Sequence, residues 1–223
     1  MQNVNKPKEN FAADLQFAVS ESYKTIRTNL QFLLTKNQGC KVIAVSSAQA
    51  QEGKTTNSVN LAISFSQLGK KVLLIDADLR RPTIAKKLKI ENTDGLSGLL
   101  AGFASADQAI DQMNQYFSVL PSGAIPPNPS ELLASLDFEK LISTFKQSYD
   151  YIIIDTAPVG IVSDALSVGK LCDGVLIVVK AKSTTYADFE RVSDSLKLAG
   201  ITLLGAVING AEVKEYYPNY RSN

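Results

Sequence analysis

Histidine is absent from this 223-residue chain. That excludes every triad and metal site built on imidazole, so a general base here has to be a carboxylate, a lysine or a tyrosine. Cysteine is scarce: Cys40 and Cys172 are the only two, far apart in sequence and each beside a strand-like run. They read as reduced, buried thiols of a cytoplasmic protein and not as a disulfide framework. Neither sign of charge is in excess, with 23 basic against 22 acidic residues and a net charge of +1, so no broad field recruits nucleic acid. No apolar run approaches the ~20 residues that span a bilayer. The polar start, Met1 to Asn10, lacks the apolar centre of a signal peptide. Work at a membrane would therefore be done through another protein. Internal repeats and low-complexity segments are also missing.

What is present is an alternation of apolar strand-like runs and helical patterns, of a length that suits one large α/β domain. Residues 1–19 read as a flexible lead, 20–210 as the folded domain and 211–223 as a polar tail. Tyr23, Ile26, Leu30, Leu33 and Leu34 recur at helical spacing and predict a helix from Glu21 to about Lys36, with Glu21 in its first turn. Strands are expected at 41–46, 71–76, 117–120, 150–155, 174–180 and 203–209. Helices are expected at 54–68, closed by Gly69, at 95–100, from Ser130 onward, at 163–171, and at 186–199, closed by Gly200. The strands are near-continuous apolar runs, the pattern of a parallel sheet covered on both faces. The expected fold is an α/β P-loop NTPase with a mostly parallel, doubly wound sheet, and ligands in such sheets bind at the carboxyl ends of the strands.

Three short segments fall at those ends. After Val42-Ile43-Ala44-Val45 comes a loop closing on Gln51-Glu52-Gly53-Lys54-Thr55-Thr56, where the chain turns into a helix. Backbone amides of such a loop, with the helix N-terminus, cradle phosphates; Lys54 would reach the terminal phosphates and the Thr55 hydroxyl would serve magnesium. The usual first glycine of this pattern is replaced by Ala48, which tolerates positive φ less well. The second segment is Leu73-Leu74-Ile75-Asp76-Ala77-Asp78-Leu79-Arg80 and the third Ile152-Ile153-Ile154-Asp155-Thr156-Ala157-Pro158. Magnesium takes one or two carboxylates plus water and phosphate oxygens. That leaves a third carboxylate to accept or orient the proton of a hydroxyl nucleophile. The pattern alone does not say which of Asp76, Asp78 and Asp155 is the base. Asn209 ends the last strand, where it either meets a nucleotide base or forms an Asn-Gly turn. Arg80 and Arg81 suit phosphate, an acidic partner group or surface ion pairs.

The tail carries Tyr216, Tyr217 and Tyr220 beside Pro218 and Asn219. Such a cluster makes no amphipathic face. It reads either as a docked tail or as a set of phosphoacceptors, and from Gly210 to Tyr220 it could extend up to ~35 Å, enough to reach a neighbouring subunit's site.

These residues resemble the bacterial tyrosine kinases (BY-kinases), within the deviant-Walker ATPases. The likeness runs from about Ser20 to Tyr220 and includes the stretch Leu120 to Leu133 and the tyrosine-rich end. It is nearest to the separate cytoplasmic kinase of Gram-positive capsule and exopolysaccharide systems. The resemblance implies transfer of the ATP γ-phosphate to tyrosines on the tails of neighbouring copies. Asp78 and Asp155 would hold Mg2+, and Asp76 would orient or deprotonate the tyrosine hydroxyl. It implies a membrane-spanning activator that completes the site and keeps the kinase at the inner face of the membrane, and a tyrosine phosphatase that reverses the modification. It also implies a homo-oligomer, a ring in this family, assembled through a glutamate-x2-arginine-x2-arginine motif that here reads Glu21, Lys24 and Arg27. Lys24 keeps the charge of arginine without its bidentate fork, so the contact is expected to be weaker or rearranged. Two other readings share the motifs: a positioning-type ATPase that uses water as nucleophile, and a nucleotide-sensing scaffold for a membrane partner. The near-neutral charge and polar tail fit the first poorly, since such ATPases often carry a basic surface or a terminal amphipathic helix.

Overall fold

The computed structural model describes residues 8–211, with side chains from Phe17 onward. The chain starts with a 26-residue helix, α1 (Lys8–Leu33), followed by β1 (Lys41–Ser47), α2 (Lys54–Ser66) and β2 (Val72–Ala77). Three short helices, α3 (Ile84–Leu88), α4 (Leu96–Leu100) and α5 (Ala106–Ala109), lead to β3 (Asp111–Asn114) and β4 (Phe117–Leu120). Then come α6 (Pro129–Leu133), α7 (Leu136–Phe145), β5 (Tyr151–Thr156), α8 (Asp164–Gly169), β6 (Gly174–Lys180), α9 (Tyr186–Leu198) and β7 (Leu203–Asn209).

The strands form one sheet in the order β3-β4-β2-β5-β1-β6-β7, parallel except for the β3–β4 pair. Alternate residues of the central strands feed two separate cores. On one face Val42, Ala44, Leu73, Ile75, Ile152 and Ile154 pack with Phe138 and Ile142 of α7, Val168 of α8, and Val192 and Leu196 of α9. On the other, Ile43, Val45, Val72, Leu74 and Ile153 pack with Leu30 of α1 and with Val59, Leu61, Ala62 and Phe65 of α2. Phe65 also stacks on Tyr151 with ring centroids 3.9 Å apart. At roughly 1.5–3 kcal/mol per fully buried aliphatic or aromatic side chain, these two layers dominate the stability of the domain. The doubly wound expectation is met. The order turns at β1, because the chain leaves it toward β2 on one side and crosses from β5 to β6 on the other. A crevice opens at the carboxyl ends of the strands at such a turning point.

Two expectations are corrected. The helix expected from Glu21 begins at Lys8, so the boundary placed at residue 20 falls inside a continuous helix and Glu21 lies mid-helix, away from any first-turn dipole effect. The helix expected from Ser130 is two helices: it breaks after Leu133, and Ser135 caps α7 by accepting a bond from the Phe138 amide. Cys40 and Cys172 are free and half-buried, and burial pushes both thiols up to about 12. No helix among the described residues is long and apolar enough to cross a membrane.

Candidate nucleotide and phosphoryl-transfer site

β1 delivers the chain to the loop 48–53, and α2 begins directly after it. Two loop residues take left-handed backbone conformations, Gln51 at φ 63° and Gly53 at φ 100°. Ala48 is not among them, so the missing glycine costs the loop nothing at that position; Ala48 is instead buried. Its carbonyl is approached by Gly160, where a Cβ would lie 2.2 Å from the Ala48 oxygen. Gly53 needs both its φ and its bareness, since a Cβ there would sit 2.1 Å from the Asn209 amide nitrogen. The loop is braced from outside. Asn209 Nδ2 donates to the Glu52 carbonyl at 2.9 Å and Asn57 Nδ2 to the Gly53 carbonyl at 2.9 Å. The buried Glu52 carboxylate accepts from the Gln49 amide at 2.9 Å and from the Thr184 hydroxyl. Glu52 thus spends its side chain holding the loop and has only its backbone to offer a ligand. Thr56 accepts from Lys87 Nζ at 3.1 Å.

The carboxylates stand beside this loop. β2 and β5 are adjacent and in register, with Asp76 opposite Asp155, so their backbones lie about 5 Å apart. Both side chains are fully buried. Asp155 accepts from Thr55 Oγ1 at 2.6 Å and Ser58 Oγ at 3.0 Å. Burial pushes it up to about 6, against the pull of Lys54 and the two hydroxyls. Asp76 Oδ2 accepts from the backbone amides of Thr83 and Ile84 at 3.2 and 3.0 Å, and Oδ1 from Asp78 at 3.2 Å. Burial, with the neighbouring Asp155 charge, pushes Asp76 up to about 7. Asp78 lies 3.7 Å from Lys54 Nζ. Thr83 closes the group, its hydroxyl 2.9 Å from that of Thr55. Lys54, Thr55, Asp76, Asp78 and Asp155 are therefore brought to one place.

These residues fit magnesium and a nucleotide. Among the described residues no three carboxylate, histidine or cysteine groups could hold a metal by themselves. A few carboxylates and a hydroxyl beside a phosphate-binding loop are the donor set of a Mg2+ that takes its remaining ligands from phosphate and water.

Sequence reasoning missed four supporting groups. Ser58 lies three residues after Thr55 and so on the same helical face, a spacing that could have revealed it. Thr83, Thr184 and Asp164 had no local signal. Asp164 accepts from Arg80 Nε at 2.7 Å and Ser130 Oγ at 2.7 Å, so Arg80 ties β2 to α6 and α8. Of the residues marked for assembly, Lys24 pairs with Glu21 at 2.6 Å on the exposed side of α1, while Arg27 turns inward to the Ser64 carbonyl at 2.5 Å. Tyr216, Tyr217 and Tyr220 lie outside the described residues.

Residues 40–199 match the model of the AAA domain family. Tyrosine-protein kinase YwqD of Bacillus subtilis (strain 168) is 41% identical over 198 residues, covering 88% of this chain and 83% of the relative. The chain belongs to the bacterial tyrosine kinases. Solved structures agree. The kinase domain of the Escherichia coli tyrosine kinase ETK superposes with a TM-score of 0.81 at 33% identity, covering 86% of this chain and 77% of that one. The chimerical protein CapA2B2 gives 0.79 at 34%, covering 84% and 83%. The protein is thus a tyrosine kinase on a nucleotide-binding P-loop fold.

Proposed function

We propose that the protein transfers the γ-phosphate of ATP to Tyr216, Tyr217 and Tyr220 on the tail of a neighbouring copy and thereby regulates capsular or exopolysaccharide synthesis and export. The observation that carries this is the buried Asp76–Asp155 pair beside the Lys54–Thr55 loop, with Asp76 pushed up to about 7. A carboxylate that titrates near neutral pH serves best as a proton acceptor in the cell's range. Two lone-pair positions of Asp76 Oδ2 and one of Oδ1 are filled by backbone amides, which leaves Oδ1 a position for a tyrosine hydroxyl.

When bound, magnesium-ATP supplies the phosphoryl group and the cation that offsets charge on the phosphates. The chain's residues do the rest. The backbone of Gln51, Glu52, Gly53 and Thr56 cradles the phosphates, and Lys54 leaves Asp78 to meet the terminal ones. Thr55, Asp78 and Asp155 would hold the metal. Asn209 has its amide nitrogen on Glu52, which leaves its oxygen as the acceptor it would offer the exocyclic amine of adenine. Asp76 takes the phenolic proton as the tyrosine oxygen bonds to the γ-phosphorus and the bond to the β-phosphate's bridging oxygen breaks. Subunits meet through Glu21 and Lys24 on the exposed side of α1, and Arg27 joins them only by leaving its bond to the Ser64 carbonyl. A membrane-spanning activator completes the site and anchors the kinase at the membrane's inner face, and a tyrosine phosphatase resets the tail. Each phosphate adds about −1.5 to −2 charges, so a modified tail is repelled by the carboxylates and the assembly loosens.

Mass-spectrometric mapping after incubation with magnesium-ATP, beside Lys54→Met and with or without an activator's cytoplasmic segment, tests this. Phosphate on the three tyrosines, lost in the variant, is expected. Free phosphate without phosphotyrosine would favour the water-using ATPase, and neither product despite ATP binding would favour the scaffold.

A further inference from the structure

One surface feature is not used by the chemistry above. Between Arg80 and Lys89 the chain carries five basic residues and no acidic one (Arg80, Arg81, Lys86, Lys87 and Lys89), and all five are exposed. This segment is the wall of the site. Thr83 within it donates its amide to Asp76 and its hydroxyl to Thr55, and the Arg81 amide donates to Asp78 Oδ1 at 3.1 Å. Two of the five charges are engaged, Arg80 with Asp164 and Lys87 with Thr56. Arg81, Lys86 and Lys89 have no carboxylate partner among the described residues.

We infer that this basic wall captures the acidic residues that precede the acceptor tyrosines on the tail of a second copy, and so selects which tyrosine enters. The inference rests on the tail-phosphorylation reading. The complementary charges are in the chain's own sequence: Glu212 and Glu215 stand four residues and one residue before Tyr216, with Lys214 between them, so residues 212–215 carry a net charge of −1. The lengths agree. With the Tyr216 hydroxyl at Asp76, an extended chain places Glu215 and Glu212 up to roughly 3.5 and 14 Å back along the tail. The segment from Ile84 to Lys89, helical to Leu88, leads away from Asp76 for about 8 Å, within the span of those two glutamates. Tyr220 is preceded by Pro218 and Asn219 and has no acid in the three residues before it. The wall therefore favours Tyr216 and Tyr217 over Tyr220.

Lys86→Glu/Lys89→Glu tests this without touching the residues placed at the nucleotide. The probe is a fluorescent peptide of residues 211–223, binding to the full chain in the presence of a non-hydrolysable ATP analogue. Charge reversal should weaken peptide binding about tenfold, equivalent to 1.4 kcal/mol, and flatten its dependence on salt. A Glu212→Lys/Glu215→Lys peptide should regain affinity for the reversed kinase and lose it for the parent. In transfer assays with the Lys54→Met chain as acceptor, KM for the acceptor should rise while KM for ATP stays put. Equal peptide binding by both kinases would overturn the inference. So would a loss confined to ATP affinity, or a loss of binding to phosphatidylglycerol vesicles with peptide binding intact, which would make the wall a lipid surface. The two readings fail separately. Charge-dependent peptide binding with no phosphotyrosine sinks the kinase assignment of the tail alone, and phosphotyrosine with charge-independent binding sinks the wall alone.

Discussion

Replacing Asp76 with asparagine should stabilise the nucleotide-free protein at pH 8 while abolishing tyrosine phosphorylation. Asp76 has no exposed surface, and its carboxyl is pushed from 3.8 up to about 7 by burial and by Asp155. A carboxyl raised in the folded state binds its proton more tightly there than in the unfolded chain. Its contribution is fully present below the ordinary value and is lost as pH rises through 7. Just over three pKa units at about 1.4 kcal/mol each give a loss of roughly 4 kcal/mol between pH 4 and 8. The asparagine oxygen can still accept from Thr83 and Ile84, but its amino group faces the Asp78 amide, a mismatch of about 1 kcal/mol that does not change with pH. Urea unfolding of both proteins at half-unit steps from pH 4 to 8 isolates the titration in their difference. The variant should be the less stable at pH 4 and the more stable by about 3 kcal/mol at pH 8, a melting difference of roughly 6–12 °C for a chain of this size. A difference that stays constant across the range would refute the claim that burial and Asp155 push the Asp76 carboxyl up toward neutral pH.

Other perturbations read other parts of the site. Thr55→Ala removes the hydroxyl bonded to buried Asp155 at 2.6 Å; it should cost about 1–3 kcal/mol in unfolding free energy and weaken magnesium binding, both measurable by calorimetry. Gly53→Ala should eliminate ATP binding in a filter assay, and Asn209→Ala should restore it only in part, because it removes the 2.1 Å clash but not the strain of φ 100°. Arg80→Lys should not substitute for arginine, since one ammonium cannot reproduce the fork that meets Asp164 and Ser130 together. Arginine's bonds and Ser130, against the cost of burial, hold Asp164 below its usual range. The lysine variant should therefore lose part of its stability in melting experiments at pH 7, and that loss should shrink only below about pH 4, where the unfolded chain begins to protonate Asp164.

Much of the sheet was legible because its strands are apolar on both faces. Gly174–Lys180 and Leu203–Asn209 were placed residue for residue. The missed strand, Asp111–Asn114, is an exposed, antiparallel edge held only by β4, and its sequence of Asp, Gln, Met and Asn carries no apolar run. The short helix Ile84–Leu88 was missed because a single turn shows no periodicity. The break after Leu133 escaped notice because Ser135 caps a helix inside a continuous apolar pattern. At the site, the loop and the three aspartates were legible because each ends an apolar strand. The groups that hold them were not, since Thr184 meets Glu52 across 132 residues and Arg80 meets Asp164 across 84. Ala48 shows the opposite case: a departure visible in the sequence that is harmless in the fold, because the left-handed turns fall on Gln51 and Gly53.

β7 is an outer strand held on one side only, by β6, and its final residue grips the carbonyl of Glu52. A pull on the C-terminus therefore enters the domain at an outer strand and reaches the phosphate loop directly, through the one amide of Asn209. Traction and nucleotide retention are coupled by this layout. In an optical trap, with force applied between the C-terminus and a point on α7, the first yielding event should be the peeling of β7, and it should come at higher force when ATP is bound.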